Sequence, residues 1–289
     1  MLPREQFLEV TAQVRPDLHR YCTRMVGSVG DAEDVVQDTL ASAYLALPEL
    51  ESMASLRGWL FQIAHHRALD FLRRYDRRMR QPFELVEDTA VAMDDPPDEA
   101  LAHREAVGHA LSAFMELNPS QRSCVILKDV LGSSVDEIAA LLELNVPAVK
   151  ALLHRGRAHL RATRPEVRPR APHAPELLRY ISLFNARDWD GVRAMLAADV
   201  RLDLVARLKR SGREVSSYVS NYESRVDWFF VPAWLDGAPV IAVYRDRADP
   251  RPGYFIEIGL DAGAVVSIRD FRYVPYIAVD APLEITTWR

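Results

Sequence analysis

Hydrophobic positions recur at helical spacing through the first half of the chain and give way to alternating, strand-like runs in the second. Phe7, Val10, Val14, Leu18 and Tyr21 mark a first helix, which the segment from Gly27 to Gly30 breaks. Asp31, with Asp34 three residues on, is placed to cap the next helix. A long helix is expected over 56–74, apolar at Leu56, Trp59, Leu60, Ile63, Ala64, Leu69 and Leu72. Helix resumes over 100–117. Two short helical patterns then meet at a tight turn. Leu141, Leu142 and Leu144 close the first; Asn145 offers a cap to the second, and Pro147 suits a first helical turn. Beyond residue 175 the pattern predicts helices at 176–186 and 189–197. Strands follow at 200–205, 228–235, 240–245, 254–260 and 265–273, interrupted by a helix over 216–225. Asp236-Gly237 and Asp261-Ala262-Gly263 fit hairpin turns. The expectation is a multidomain chain: a helical bundle, a helix-turn-helix, and an α+β domain with a run of antiparallel strands.

At 289 residues and 49% hydrophobic content, two or three cores can be built. The net charge of −5 looks unsuited to a nucleic-acid partner, yet charge is unevenly spread. Six arginines fall between Arg67 and Arg80, against Asp70 and Asp76. Seven acids and no Lys or Arg lie between Glu84 and Glu99. Local patches govern contact with phosphates. The acidic, Pro-broken stretch 81–99 is read as a flexible linker, and the Pro-rich stretch 163–175 as a second, semi-rigid one. Cys22 and Cys124 fit buried free thiols better than a disulfide scaffold or a metal site. The first residues lack a signal-peptide core, and no apolar run reaches membrane-spanning length, so a cytoplasmic protein without a membrane partner is expected.

Three stretches carry candidate chemistry. The helix after the tight turn presents Lys150, His154, Arg155, Arg157 and Arg161, a basic comb suited to a recognition helix in the major groove. A solvated basic face on a helical hairpin is the plainer reading. The run DAEDVVQDTL gathers Asp31, Glu33, Asp34, Gln37 and Asp38 about one helical turn. That cluster suits a divalent cation, a solvated face with a favourable helix dipole, or a surface for a basic partner. In LRGWLFQIAHHRALDFLRR and the residues after it, Arg67, Arg73, Arg74, Arg77 and Arg78 are candidates to grip phosphates, and His65 and His66 to approach bases. Trp59 is read as a core anchor with Leu60 and Ile63, and Asp70 as a group orienting nearby arginines.

Together these stretches resemble the extracytoplasmic-function (ECF) group of bacterial RNA polymerase sigma factors. The resemblance spans about Phe7 to Arg161. DAEDVVQDTL resembles the family's AED-x-x-Q-[DE] helix, and 56–74 its W-L-x-x-I-A motif. Leu117 to Arg161 resembles its carboxyl-terminal helix-turn-helix. This implies a polymerase- and −10-binding sigma domain at 1–80 and a −35-binding sigma domain at 100–162, joined by the acidic linker. It implies core RNA polymerase as partner, through the clamp coiled coil of the largest subunit, with Asp31, Glu33, Asp34, Gln37 and Asp38 as the contact. It implies promoter DNA as the second partner, with His65, His66, Arg67, Arg73, Arg74 and Arg77 toward −10. Lys150, His154 and Arg155 would face −35, with Arg157 and Arg122 on phosphate. Ala151 and Leu152 stand where many members carry Ser and Arg, which implies fewer polar contacts to −35 DNA.

Residues 176–289 resemble SnoaL-like domains, whose cone fold is shared with nuclear transport factor 2 and ketosteroid isomerase. The phrase FNARDWD between two helices carries this resemblance, with the strand after it and the final VVSIRDFRY. Cone folds often enclose a pocket, and some are enzymes; on an ECF sigma factor, however, such an extension implies a regulatory domain acting in cis through intramolecular contact with the sigma domains, and no catalysis and no cofactor are expected. The alternative is a fused small-molecule-binding or isomerase-like enzyme, with Asp203 or Asp270 as base and Tyr218, Tyr244 or Tyr254 as donor. Arg207, Lys209, Arg210 and Arg213 give a basic loop, read either as solvated or as meeting an acidic surface.

Overall fold

The computed structural model describes residues 4–49, 56–79, 111–162, 172–223, 227–235, 237–281 and 283–285. The expected linker 81–99, helix residues 100–110 and most of the linker 163–175 lie outside the described residues. The chain divides into two compact units, Met1–Val167 and Arg168–Arg289. No described helix is long and apolar enough to cross a membrane.

The first unit is all helix. Helix α1 (Arg4–Val26) ends where Gly27 takes φ 78°, a left-handed conformation that suits glycine. Helix α2 (Val29–Ala46) is capped by Ser28, whose side chain accepts from the backbone N–H of Asp31. Ser28, not Asp31, is therefore the cap, and Asp31 lies in the first turn, where its charge favours the helix dipole. Helix α3 (Leu56–Met79) packs on α1 and α2. Beyond residue 110 come α4 (Leu111–Met115), α5 (Pro119–Val125), a π-helical turn (Ile126–Val130), α6 (Val135–Leu142) and α7 (Val146–Ala162).

The α6–α7 pair is the expected helix-turn-helix. Ser134 and Glu137 form a reciprocal capping box at the start of α6. Glu143 ends it in the left-handed region, φ 56°. Asn145 Oδ1 accepts from the N–H of Ala148 at 2.8 Å, the capping role expected of it. At Gly156 a Cβ would come within 2.7 Å of Val125, so glycine lets α7 lie close on α5. Both helical segments share one core. It runs from Leu18, Tyr21, Leu60 and Ala64 through Phe114, Val125 and Ile126 to Ile138, Val149 and Leu153. Trp59 packs against it, as expected of an anchor. Cys22 and Cys124 are buried free thiols.

The second unit is α+β. Helices α8 (Pro175–Asn185) and α9 (Trp189–Ala194) precede β1 (Leu196–Leu204) and β2 (Leu208–Ser211). Then come α10 (Ser216–Glu223), β3 (Phe229–Leu235), β4 (Ala238–Tyr244), β5 (Tyr254–Asp261), β6 (Ala264–Asp270), α11 (Tyr276–Asp280) and β7 (Glu284–Ile285). The sheet order is β2-β1-β6-β5-β4-β3-β7. The helix–helix–strand opening follows the order that the SnoaL-like resemblance implies. The hairpin turn between β5 and β6 is made by Ala262 and Gly263, both at positive φ. Two features depart from expectation. β1 pairs with β6 in parallel, Leu202 opposite Ile268, so the sheet is mixed rather than antiparallel throughout. The basic segment after β1 is partly an edge strand, β2, paired with β1. One face of the sheet, with Leu202, Leu204, Tyr254, Ile256 and Ile268, packs with Leu177, Ile181, Phe184, Val219 and Tyr222 of the helices.

Candidate nucleic-acid interface

On α7, Lys150 and His154 are exposed and Arg155 is half-buried. Arg157 is turned inward. Its guanidinium forms a two-pronged ion pair with the buried Asp129 of the π-turn, Nε donating to Oδ2 at 2.8 Å and Nη2 to Oδ1. The phosphate contact expected of Arg157 is replaced here by an internal tie that fixes α7 to the preceding turn. Ala151 and Leu152 are buried, and Leu152 belongs to the core. Their lack of polarity follows from packing, so they do not mark lost −35 contacts.

Arg122 differs most from its expected role. It is 4% exposed. Nη2 donates to the carbonyls of Met115 at 3.0 Å and Leu117 at 2.8 Å, and Nη1 donates to the carbonyl of Met25 at the end of α1. A guanidinium enclosed by backbone carbonyls is not displayed to phosphate. It joins α1 to the segment between α4 and α5.

Along α3, His66, Arg67, Arg73 and Arg74 are exposed. Arg67 donates to Ser42 Oγ at 2.9 Å. Asp70 holds Arg73 through its carboxylate at 3.3 Å and Arg74 through its carbonyl at 3.3 Å, the orienting role expected of it. The side chains of Arg77 and Arg78 lie outside the described residues. His65 is only partly exposed. Its Nδ1 lies 2.8 Å from Tyr21 Oη and 3.0 Å from Ser123 Oγ, and those two hydroxyls are 2.9 Å apart. Burial, reinforced by the neighbouring His66, lowers the His65 pKa to about 4. His65 is thus a neutral ring held between helices rather than one offered to a base.

On α2, Asp38 is exposed and Asp31, Asp34 and Gln37 are half-buried, four of the five expected contact residues. Glu33 is the exception. It is wholly buried, paired with Arg15, and accepts from Gln37 Nε2 at 3.2 Å. Its carboxylate ties α2 to α1.

The second unit brings Asp270, Tyr218 and Tyr254 together and adds Tyr222. Asp270 Oδ2 accepts from Tyr218 and Tyr222, each at 2.8 Å, and Oδ1 from the N–H of Arg272 at 2.8 Å. Tyr254 Oη lies 3.0 Å from Tyr222 Oη. Burial raises the Asp270 pKa, and the tyrosine hydroxyls and the backbone donor oppose it. Asp203 lies apart from this cluster, paired with Lys209 at 3.4 Å and Arg269 at 3.7 Å. Tyr244 is half-buried at the end of β4. In the basic segment, Arg207 lies over the ring of Tyr273 at 4.4 Å, and Lys209, Arg210 and Arg213 are exposed.

Residues 11–78 match the model of Sigma-70 region 2, and residues 110–160 that of Sigma-70 region 4. The chain is 35% identical over 226 residues to the ECF RNA polymerase sigma factor SigG of Mycobacterium tuberculosis, covering 68% of this chain and 60% of SigG. That share exceeds residues 1–160, so the alignment continues into the second unit. Over 137 residues it is 31% identical to the ECF RNA polymerase sigma factor SigF of Caulobacter vibrioides, covering 47% of this chain and 72% of SigF. The crystal structure of the sigma factor SigJ of Mycobacterium tuberculosis aligns at 22% identity and a TM-score of 0.37, over 91% of this chain and 95% of SigJ. That score leaves the fold to be read from the helices and sheet themselves. With both regional models matched in order, and most of SigF spanned at this identity, the chain belongs to the ECF RNA polymerase sigma factors.

Proposed function

We propose that this protein binds core RNA polymerase and directs it to a subset of promoters, reading −10 DNA with α3 and −35 DNA with α7. The observation that carries this is the pairing of two exposed basic faces within segments that match regions 2 and 4. One is His66, Arg67, Arg73 and Arg74 on α3; the other is Lys150 and His154 on the second helix of a capped helix-turn-helix. Asp31, Asp34, Gln37 and Asp38 are the proposed polymerase contact, with the clamp coiled coil as its partner. These interactions belong to a cytoplasmic protein. The test is reconstitution with core polymerase, followed by run-off transcription. A stable complex that initiates at specific sites is expected; failure to bind core, with and without residues 164–289, overturns the reading.

The second unit governs when the sigma segments act and catalyses nothing itself. The continuation of the SigG alignment past residue 160 supports only that this unit belongs with the sigma segments; its control over them is the reading that truncation tests. Truncation after Arg164 should change promoter-specific transcription, and unchanged activity and polymerase affinity would count against it. A second reading, in which this unit binds or turns over a small molecule, draws support from the Asp270 cluster.

A further inference from the structure

We propose that the second unit binds a small zwitterion, a molecule carrying both a carboxylate and an ammonium, in a cleft on the outer face of its sheet. This goes beyond the sigma-factor reading and does not depend on it. The face concerned is not the one that packs with α8 and α10. On β1, Leu202 and Leu204 enter the core, so Arg201 and Asp203 point the opposite way. On β6, Ile268 is in the core, and Ser267 and Arg269 point away from it. The cleft over these residues has a volume of about 640 Å³. Asp270 and its tyrosines lie on the other face.

Two cross-strand rows run side by side here, and one is satisfied while the other is not. Lys209, Asp203, Arg269 and Glu257 stand in register on β2, β1, β6 and β5. Their charges alternate in sign and reach one another. Lys209 Nζ is 3.4 Å and Arg269 Nε 3.7 Å from Asp203 Oδ2, and Arg269 Nη1 is 3.3 Å from Glu257 Oε2. Two residues along each strand, Ser211, Arg201, Ser267 and Gly259 form the second row in the same order. Among the described residues, the side chains of Ser211, Arg201 and Ser267 form no hydrogen bond or ion pair. Ser267 Oγ leans over Gly259, where a Cβ would come within 2.2 Å of it, so glycine keeps room for that hydroxyl. The cleft is also lined by Glu214, in the 3-10 turn after β2 (Gly212–Val215). Its exposed carboxylate likewise has no ion pair among the described residues.

These groups define the ligand. Asp203 already serves Lys209 and Arg269, which leaves Arg201 without a counter-charge between two hydroxyls. A guanidinium fork donates two parallel hydrogen bonds to a carboxylate, and each serine hydroxyl adds a donor beside it. A plain anion would meet Arg201 but be repelled by Glu214; a plain cation would meet Glu214 but be repelled by Arg201. A molecule carrying both signs satisfies both. Neighbouring strands are about 4.8 Å apart, so Ser211 and Ser267 flank Arg201 across about 10 Å. Glu214 follows Ser211 by three residues and is no more than about 11 Å from it along the chain. An amino acid, or an amine and a carboxylate joined by a short carbon chain, fits that interval.

Isothermal titration calorimetry on the full chain tests this, with glycine and 4-aminobutanoate as probes and butanoate and butylammonium as single-charge controls. At least one zwitterion is expected to bind saturably, on the order of tenfold more tightly than either control, because each control forfeits one charge-assisted contact. Arg201→Gln should abolish the preference over butylammonium, and Glu214→Gln the preference over butanoate. Both side chains are exposed, so each variant should melt with the wild type, which separates lost binding from lost folding. No saturable binding of either zwitterion overturns the site, as does an affinity that Arg201→Gln leaves unchanged. Butanoate binding as tightly as the zwitterions overturns the assignment of the ligand class. Polymerase takes no part in these titrations, so failure here leaves the sigma function standing, and failure of the sigma function leaves the cleft standing.

Discussion

Arg122 is where the sequence and the structure assign opposite roles, and one pair of substitutions decides between them. As a phosphate contact, Arg122→Lys keeps the charge and should be nearly silent in stability. In the structure the guanidinium spans three carbonyls, of Met25, Met115 and Leu117, on two separate stretches of chain. A single ammonium cannot bridge them, because the fork supplies donors at fixed separations that one nitrogen lacks. Each hydrogen bond from a charged donor contributes about 1.5–3 kcal/mol, and leaving buried carbonyls unmatched adds about 1–3 kcal/mol. These terms are not additive, so Arg122→Met is expected to cost about 3–5 kcal/mol, the range for dismantling a buried ionic contact. Arg122→Lys is expected to cost about half as much. At about 2–4 °C per kcal/mol for a unit of this size, the Met variant should melt roughly 6–20 °C lower. Thermal unfolding followed by far-ultraviolet circular dichroism, which weights the helical unit, is the assay. If both variants unfold with the wild type and instead bind promoter DNA more weakly, with a shallower salt dependence, the structural role is refuted.

Three further outcomes follow from the site geometry. Lys150→Ala should weaken −35 DNA binding and reduce the slope of log K against log salt by about 1, the signature of one lost phosphate contact; an unchanged slope removes Lys150 from the interface. Lowered to about 4, His65 takes up its proton more weakly in the folded chain than unfolded, where the value is about 6.5. Its contribution is therefore complete above about pH 6.5 and is lost as pH falls toward 4, up to about 3 kcal/mol. His65→Asn should flatten that pH dependence in denaturation series, and a slope equal to the wild type's would show that His65 is not its source. In the second unit, Tyr218→Phe and Tyr222→Phe each strip a donor from a buried carboxylate and should cost about 1.5–3 kcal/mol. Asp270→Asn, which removes the buried charge along with its desolvation cost, should cost less than either; the reverse order in urea melts would overturn this account of the cluster.

How much of this was legible depends on whether the determining partner is near in sequence. Caps and turns are local, so the Asn145 cap and the Ala262-Gly263 turn could be read from the chain. The cap of α2 was misplaced because Ser28 and Asp31 are both competent, and only the entry of the chain from Gly27 selects Ser28. The parallel pairing of β1 with β6 joins strands more than sixty residues apart, and alternation within a strand carries no sign of its neighbour's direction. Arginines were legible as charge but not as geometry. Arg122, Arg157 and Lys150 read alike as cations; three carbonyls around Arg122 and a buried Asp129 beside Arg157, none predictable from spacing, set those two apart.

Two of the surprises did leave a local trace, and it has the same form in each. On α2, Glu33 occupies the helical face of Val29, Val36 and Leu40, at intervals of four, three and four residues, so the apolar stripe itself called for an inward side chain there. On β6, Asp270 shares a face with Ile268, two residues back, where alternation demands a core residue. A carboxylate at a position the pattern reserves for an apolar side chain must bring its own donors, because burying it unpaired costs several kcal/mol. Glu33 has Arg15 and Gln37; Asp270 has Tyr218, Tyr222 and the N–H of Arg272. Tyr222 was itself findable on this logic, since it continues the apolar stripe that runs from Val215, just before α10, through Val219, and carries the hydroxyl that stripe does not need. The same rule separates the proposed polymerase-contact carboxylates from the structural one: Asp31, Asp34 and Asp38 stand off that stripe, so replacing the exposed Asp38 with Arg should reduce core-polymerase affinity and leave the melting of the helical unit unchanged. Glu33→Gln should do the reverse.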